Sequence, residues 1–384
     1  MAEAKPAELP ITGYLDRFSA RPGESLAVKI SVPSGARYRA RLRRVISGDP
    51  NPAGPGLRFE DLSARFDAAF QGRHQPIRLG SYALIPKAPQ RAAGPVTWTA
   101  LVWFQAQPGG EAVVISEEMA GQRVTLSVGP HGPMAQIIWE GGDRQLGLGA
   151  ALPLRRWHRL WLSADPTTGR ILLGAQCIED ASPASTREIA APGLVLPAGE
   201  GVVMIAAREA SAPTAHLTGK IEDPAILAGF FAEWPRPDQP LAAAGPGLLA
   251  GWDFARGIAT QRVEDIGPQA CHGDLVNVPT RAVVGARWSG AEMCWRHAPA
   301  DYAAIHFHAD DLSDCGWADD FSFTVPADLR SGAYTLHVTC AEGEDHIPFY
   351  VLPPRGTATA PIAFLASTFT YQAYANHARG NADA

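Results

Sequence analysis

Charged side chains are scarce in this chain of 384 residues, where Asp, Glu, Lys and Arg together supply 19%. Long helices with a charged solvent face are therefore disfavoured. Lysine is almost missing: 4 of the 33 basic residues are Lys and 29 are Arg, a skew that coding composition accounts for. There is no basic excess either, since the net charge is −6 and the pI is about 6.0, which argues against nucleic acid as a general partner. Cys177, Cys271, Cys294, Cys315 and Cys340 are odd in number and scattered, with no C-x-x-C. That pattern suggests neither a zinc ribbon nor a disulfide framework. The opening MAEAKPAELPITGY has no apolar segment of the secretory kind, and no apolar run reaches the length of a membrane span. The expectation is a soluble, cytoplasmic protein with reduced thiols and no membrane partner. G-x-S-x-G, Walker and Rossmann glycine motifs are also missing.

Turn formers and apolar residues are plentiful. The chain has 38 Gly and 33 Pro, and 46% of it is hydrophobic, enough for a packed core built from many short strands. Leu26, Val28, Ile30 and Val32 alternate with Ala27, Lys29 and Ser31, the period of a half-buried strand. Arg37, Arg39, Arg41 and Arg43 then alternate with Ala36, Tyr38, Ala40 and Leu42, predicting a strand with one arginine face. That face reads as solvated, with a docking face for another domain as the alternative. GDPNPAGPGLRFE (48–60) is a loop, and Leu62, Phe66, Ala69 and Phe70 stand at helical spacing, predicting a short helical piece. From 77 to 230, segments such as VTWTALVWF, RVTLSV, AQIIWE and WHRLWLSAD alternate with turns, as in an all-β sandwich. WHRLWLSADPTTGRILLGAQ resembles the Trp-His-x-Leu strand, turn and following strand of laminin-G, concanavalin-like jelly rolls, and LTGKIEDPAIL looks like their closing strand.

FSFTVPADLRSGAYTLHVTCAEGEDHIPFYVLPP (321–354) is a β-meander that the N-terminal strands would complete as an immunoglobulin-like sandwich. IAFLA (362–366) is a continuous apolar run, the mark of a strand buried on both faces in a parallel α/β sheet. The expected division is sandwich strands in 1–60, a jelly roll in 61–235, a β-rich region completing the sandwich in 236–355, and the first strand of an incomplete α/β domain in 356–384.

The densest polar cluster is AIHFHADDLSDCGWADDF (304–321). His306 and His308 share a strand face, and Asp310 and Asp311 follow. H-F-H-A-D-D resembles the H-x-H-x-D-H motif of metallo-β-lactamase-type hydrolases, with Asp311 where that motif has His. His337, His346 and His377 stand in no recognisable spacing to complete a zinc site. The competing structural reading has these His and Asp residues satisfy each other and a turn backbone. Cys271, His272 and Cys294 read as buried and inert rather than as a Cys/His pair. Trp98, Trp103, Trp139, Trp157 and Trp161 could form a sugar platform, although strand positions favour core packing.

From residue 248 onward, LLAGWDFARGI, HGDLVNVPTRAVVGARW, DYAAIHFHADDLSDCGW, DFSFTVPADLRSGAYTLHV, IPFYVLPP and PIAFLASTFTYQAYANH together resemble the large subunit of the N,N-dimethylformamidase family. The resemblance implies a hetero-oligomeric amide hydrolase with a small subunit, converting dimethylformamide and water to dimethylamine and formate. It implies a mononuclear iron held by two Tyr and one Glu in a C-terminal α/β domain. It also implies a large subunit about twice this length, so that this chain would be a non-catalytic, β-rich part serving assembly and the active-site entrance. Tyr371 and Tyr374 lie at the start of that domain, but no Glu follows Glu344, so the iron set is not completed here. The alternatives are a laminin-G-type carbohydrate-binding module and a zinc hydrolase using His306 and His308.

Overall fold

The computed structural model describes residues 9–374 apart from 50, 52, 120, 198 and 235–246. Its mainly β chain divides into two compact units, one formed by Met1–Ile77 with Cys315–Ala384 and the other by Arg78–Asp314. Among the described residues, no helix is long and apolar enough to cross a membrane.

The first unit is the expected sandwich of strands from both ends of the chain. Ser25–Ser31 pairs antiparallel with Thr12–Leu15 on one side and Phe321–Thr324 on the other. In the second sheet, Gly332–Thr339 lies between Glu344–Val351 and Arg37–Gly48, and Leu57–Asp61 and Asp67–Gln71 both pair with Arg37–Gly48. Alternation places Leu26, Val28, Ile30, Tyr38, Ala40, Leu42, Leu336, Val338, Ile347 and Phe349 in one core. Arg39 and Arg41 point outward and share Asp67, at 2.5 and 3.6 Å. Such exposed pairs contribute little to stability.

The predicted helix at 62–70 is instead a turn over 62–66 followed by the strand Asp67–Gln71. Phe70 pairs with Tyr38, and its ring stacks on Phe321 with centroids 4.1 Å apart. The four-residue step from Phe66 to Phe70 fits both a helix and a strand, and the open edge beside Arg37–Gly48 selected the strand.

The second unit is a jelly roll of two eight-stranded sheets. One has the order Gly142–Gly147, Gly132–Trp139, Gln122–Gly129, Ala112–Met119, Val202–Ile205, Tyr82–Ile85, Gly273–Val276, Arg262–Val263. The other has the order Ser185–Ala190, Arg170–Cys177, His158–Asp165, Val96–Trp103, Gly219–Ala228, Ala304–Phe307, Thr280–Val283, with Leu248–Gly251 also on Gly219–Ala228. Trp98, Leu126, Leu162, Leu173 and Ile205 form the core between them. Gly174 stands opposite Trp161, where a Cβ would lie 2.1 Å from the indole, so a side chain there would displace the ring.

This unit corrects the expected domain boundaries. Residues 248–307 build jelly-roll strands rather than the sandwich, and Trp252, Phe254, Val263, Ile305 and Phe307 are buried in the jelly-roll core. The strand Gly219–Ala228 is not the closing one, because the sheet continues past it. These additions are only 2–4 residues long, too short for a periodic signal.

The expected strand at 362–366 is also corrected. IAFLA lies outside any strand, and a helix follows at Thr368–Tyr374. Ile362, Phe364, Leu365 and Phe369 are 84, 79, 91 and 88% exposed. A doubly buried strand needs a partner on each edge, and no described residue pairs with this segment. Deleting everything after Pro354 should therefore change the unfolding free energy of the chain by less than about 1 kcal/mol, since exposed segments contribute little. Urea denaturation checks this, and a larger loss would mean that the tail belongs to the sandwich core.

Candidate functional site

The side chains with the most chemical potential lie on the outer face of the second jelly-roll sheet. In Ala304–Phe307, Ile305 and Phe307 are fully buried toward the core, so His306 faces the other way. Register sets His306 beside Lys220, and Lys220 beside Trp103. The Lys220 ammonium lies 4.5 Å from the centre of the Trp103 ring, a cation–π contact, and partial burial lowers its pKa. The His306 and His308 rings are 4.1 Å apart. Burial, then the neighbouring His308, then Lys220 lower the His306 pKa to about 4, with Asp311 opposing.

His308 belongs to a closed set of bonds around a turn. Its Nδ1 is 3.2 Å from Asp311 Oδ2, which also accepts from Ser81 Oγ at 2.7 Å. His308 N–H donates to Ser81 Oγ at 3.1 Å, Ser81 N–H donates to the His308 carbonyl at 3.0 Å, and Gly80 N–H donates to the Asp311 carbonyl at 2.9 Å. Asp310 is exposed. His306, His308 and the aspartates are thus neighbours but do not gather as three metal ligands; among the described residues that happens elsewhere.

One row along the same face, Glu222 and Asp223 sit at a bulge that Asp223 (φ +49°) and Pro224 force into Gly219–Ala228. Arg287 Nη2 reaches Glu222 Oε1 at 2.6 Å and Asp223 Oδ2 at 2.7 Å, and Ala286 N–H donates to Glu222 Oε2 at 2.5 Å. Arg159 lies behind, 3.8 Å from Asp223 Oδ2. Burial and the adjacent Asp223 push Glu222 up to about 7, while burial brings Arg159 down to about 10. Two carboxylates and two guanidiniums balance, and their chemistry is that of a clamp on the bulge. A second buried pair lies inside the jelly roll, where Arg91 Nη1 donates to both Glu117 oxygens at 2.8 and 2.9 Å and Trp98 Nε1 donates to one of them at 2.9 Å.

Trp98, Trp139, Trp157 and Trp161 are buried, so their rings pack the protein rather than form a platform. Cys271 is buried with its thiol pKa raised, mainly by that burial, and its backbone N–H donates to Asp265 Oδ2 at 2.7 Å. His272 Nδ1 instead accepts from Asp265 N–H at 3.1 Å. Tyr371 is half-exposed on the C-terminal helix, close enough to Tyr350 to help raise that phenol's pKa, an effect second to burial. The Tyr374 side chain and His377 lie outside the described residues.

Sequence reasoning missed one group. In the sandwich unit, His337 stands directly opposite His346, and with Glu344 their ligand atoms lie within 4.8 Å of one another. The signal was present in the meander: Thr339 pairs with Glu344 across a four-residue turn, and counting back two residues on each strand brings His337 to His346.

His306 gives a pH test. It stays neutral in the folded chain down to about pH 4, whereas a free imidazole titrates near about 6.5. The unfolded chain takes up the proton first, so stability held above pH 6.5 is lost as the pH falls toward 4. His306→Asn should flatten this part of the curve of Tm against pH. An unchanged slope between pH 7 and 4.5 would remove His306 as its source.

Residues 280–382 match the family described as N,N-dimethylformamidase beta subunit-like, C-terminal. The chain is 32% identical over 402 residues to the N,N-dimethylformamidase beta subunit of Paracoccus aminophilus, covering 95% of this chain and 52% of that protein. It is 31% identical over 407 residues to the same subunit of Alcaligenes sp, covering 96% and 52%. Among solved structures, the LG1-3 region of the laminin alpha2 chain is similar with a TM-score of 0.34 and 6% identity, over 71% of this chain and 56% of that one. By sequence the chain is similar to the N,N-dimethylformamidase beta subunits, and it spans about half the length of the two curated relatives it matches.

Proposed function

We infer that this chain is the β-rich, non-catalytic part of a dimethylformamidase-type amide hydrolase, an enzyme that converts dimethylformamide and water to dimethylamine and formate. The observation that carries the reading is the 32% identity running through 95% of the chain, sandwich and jelly roll alike. Its work would be assembly with an α/β domain and a small subunit, and framing the entrance to their active site.

Two features of the structure support this. The most deeply buried charges, Glu117, Glu222 and Arg159, are tied into pairs with Arg91, Arg287 and Asp223, where they hold strands rather than wait for a substrate. The contiguous apolar side chains Ile362, Phe364, Leu365 and Phe369 are largely exposed, as suits a segment that packs against a further domain.

The iron that the resemblance implies needs two phenolates and a carboxylate, hard oxygen ligands suited to ferric iron. The residues present do not fit that set. Tyr371 is on the C-terminal helix, no Glu follows Glu344, and the Glu344 carboxylate is bonded to His337 at 2.7 Å. Iron chemistry is therefore not placed on these residues.

The purified 384-residue chain should release no dimethylamine from dimethylformamide above the protein-free rate. It should co-purify with the remaining half of the Paracoccus aminophilus subunit when the two are expressed together. Turnover by the chain alone would overturn the non-catalytic role, and failure to co-purify would count against assembly.

A further inference from the structure

We propose that His337, Glu344 and His346 bind a divalent transition-metal ion of the zinc class, closing the hairpin of the sandwich unit.

The fold builds this group where nothing in sandwich packing requires it. Gly332–Thr339 and Glu344–Val351 turn Leu336, Val338, Ile347 and Phe349 into the core, which leaves His337 and His346 on the opposite face. There the two imidazoles lie directly across the ladder, with ring centres 4.5 Å apart and planes inclined by 15°. Glu344, two residues before His346 on the same strand, reaches His337 Nε2 at 2.7 Å. Phe59 stacks on His346 at 4.8 Å and covers that ring.

The arrangement leaves polar groups unsatisfied. His337 is only 4% exposed, and its Nδ1 is buried with no hydrogen-bond partner; the Nδ1 of His346 is buried and unpartnered too. Native proteins rarely leave such groups unpaired, and each deserves an explanation. Glu344 approaches His337 on its Nε2 side, so an ion held by both would replace that hydrogen bond, and the unpartnered Nδ1 of His346 offers it a second nitrogen.

The donor set is the right one. Two neutral imidazoles and a carboxylate match a zinc site with three protein ligands and an open fourth position. The carboxylate offsets part of the ion's charge. The nearby cations are partly neutralised: Arg41 lies 3.6 Å from Asp67, and both Arg41 and Arg43 act on Asp61, lowering its pKa with its bonds to Ser63 as the main cause. Binding asks for one movement. Zinc–nitrogen bonds are about 2.0–2.1 Å, so one stacked ring must rotate until the two coordinating nitrogens stand at roughly 3.3 Å. Glu344 is 63% exposed in its side chain and can follow.

The test is Zn2+ titration of the full 384-residue chain by calorimetry, with Co2+ absorption reporting the geometry. One equivalent should bind and raise Tm. His346→Asn should abolish this, and Glu344→Gln, at an exposed position that leaves the fold intact, should weaken binding at least about tenfold. His308→Asn should change nothing. The proposal is overturned if no equivalent binds, or if binding survives both Glu344→Gln and His346→Asn. It is equally overturned if the bound ion is lost on His308→Asn instead, which would place it in the jelly roll.

Discussion

The sandwich depends on one long-range ladder. Arg37–Gly48 and Gly332–Thr339 are almost 300 residues apart in sequence, yet they pair from Tyr334↔Arg44 to Thr339↔Arg39. Each strand alone offers one apolar face, Tyr38, Ala40 and Leu42 on one and Tyr334, Leu336 and Val338 on the other. Their joint face is covered by the other sheet, in which Ser25–Ser31 pairs with Phe321–Thr324, so that sheet too takes strands from both ends of the chain. The jelly roll is inserted in sequence between them, so this unit has no core until the chain's two ends meet. Such non-local pairing costs loop-closure entropy before any burial compensates, which marks this as the slow part of folding.

Inside the jelly roll, a comparable role falls to strand Gly219–Ala228. It pairs with Val96–Trp103 on one edge and with Ala304–Phe307 and Leu248–Gly251 on the other. Its bulge at Glu222–Ala225 turns two acidic side chains to places where a regular strand would have kept them on opposite faces. Arg287 then meets both carboxylates at once. Breaking one member of such a buried set is costly because it strands the other charges, so the bulge and its clamp stand or fall together.

The chemistry visible in this chain is therefore mostly put to structural use. Ser81, His308 and Asp311 close a turn, and Arg91, Glu117 and Trp98 brace the interior. His337 and His346 differ from these two sets, since each buries an Nδ1 that no described group reaches.

Local pattern was enough for the sandwich. The alternation of Leu26, Val28 and Ile30 and of Tyr334, Leu336 and Val338 fixes which face is buried, because a strand has only two faces. The motif string of the C-terminal third likewise carried the family. Tertiary structure decided the rest. Phe66 and Phe70 satisfy two periods at once, and only a free sheet edge selects between them. The strands Gly273–Val276 and Ala304–Phe307 are too short to announce themselves, and pairing partners assigned them to the jelly roll. IAFLA has the composition of a doubly buried strand, yet composition cannot supply two neighbouring edges. His337 and His346 look unrelated nine residues apart, and become a pair once the turn between Thr339 and Glu344 sets the register.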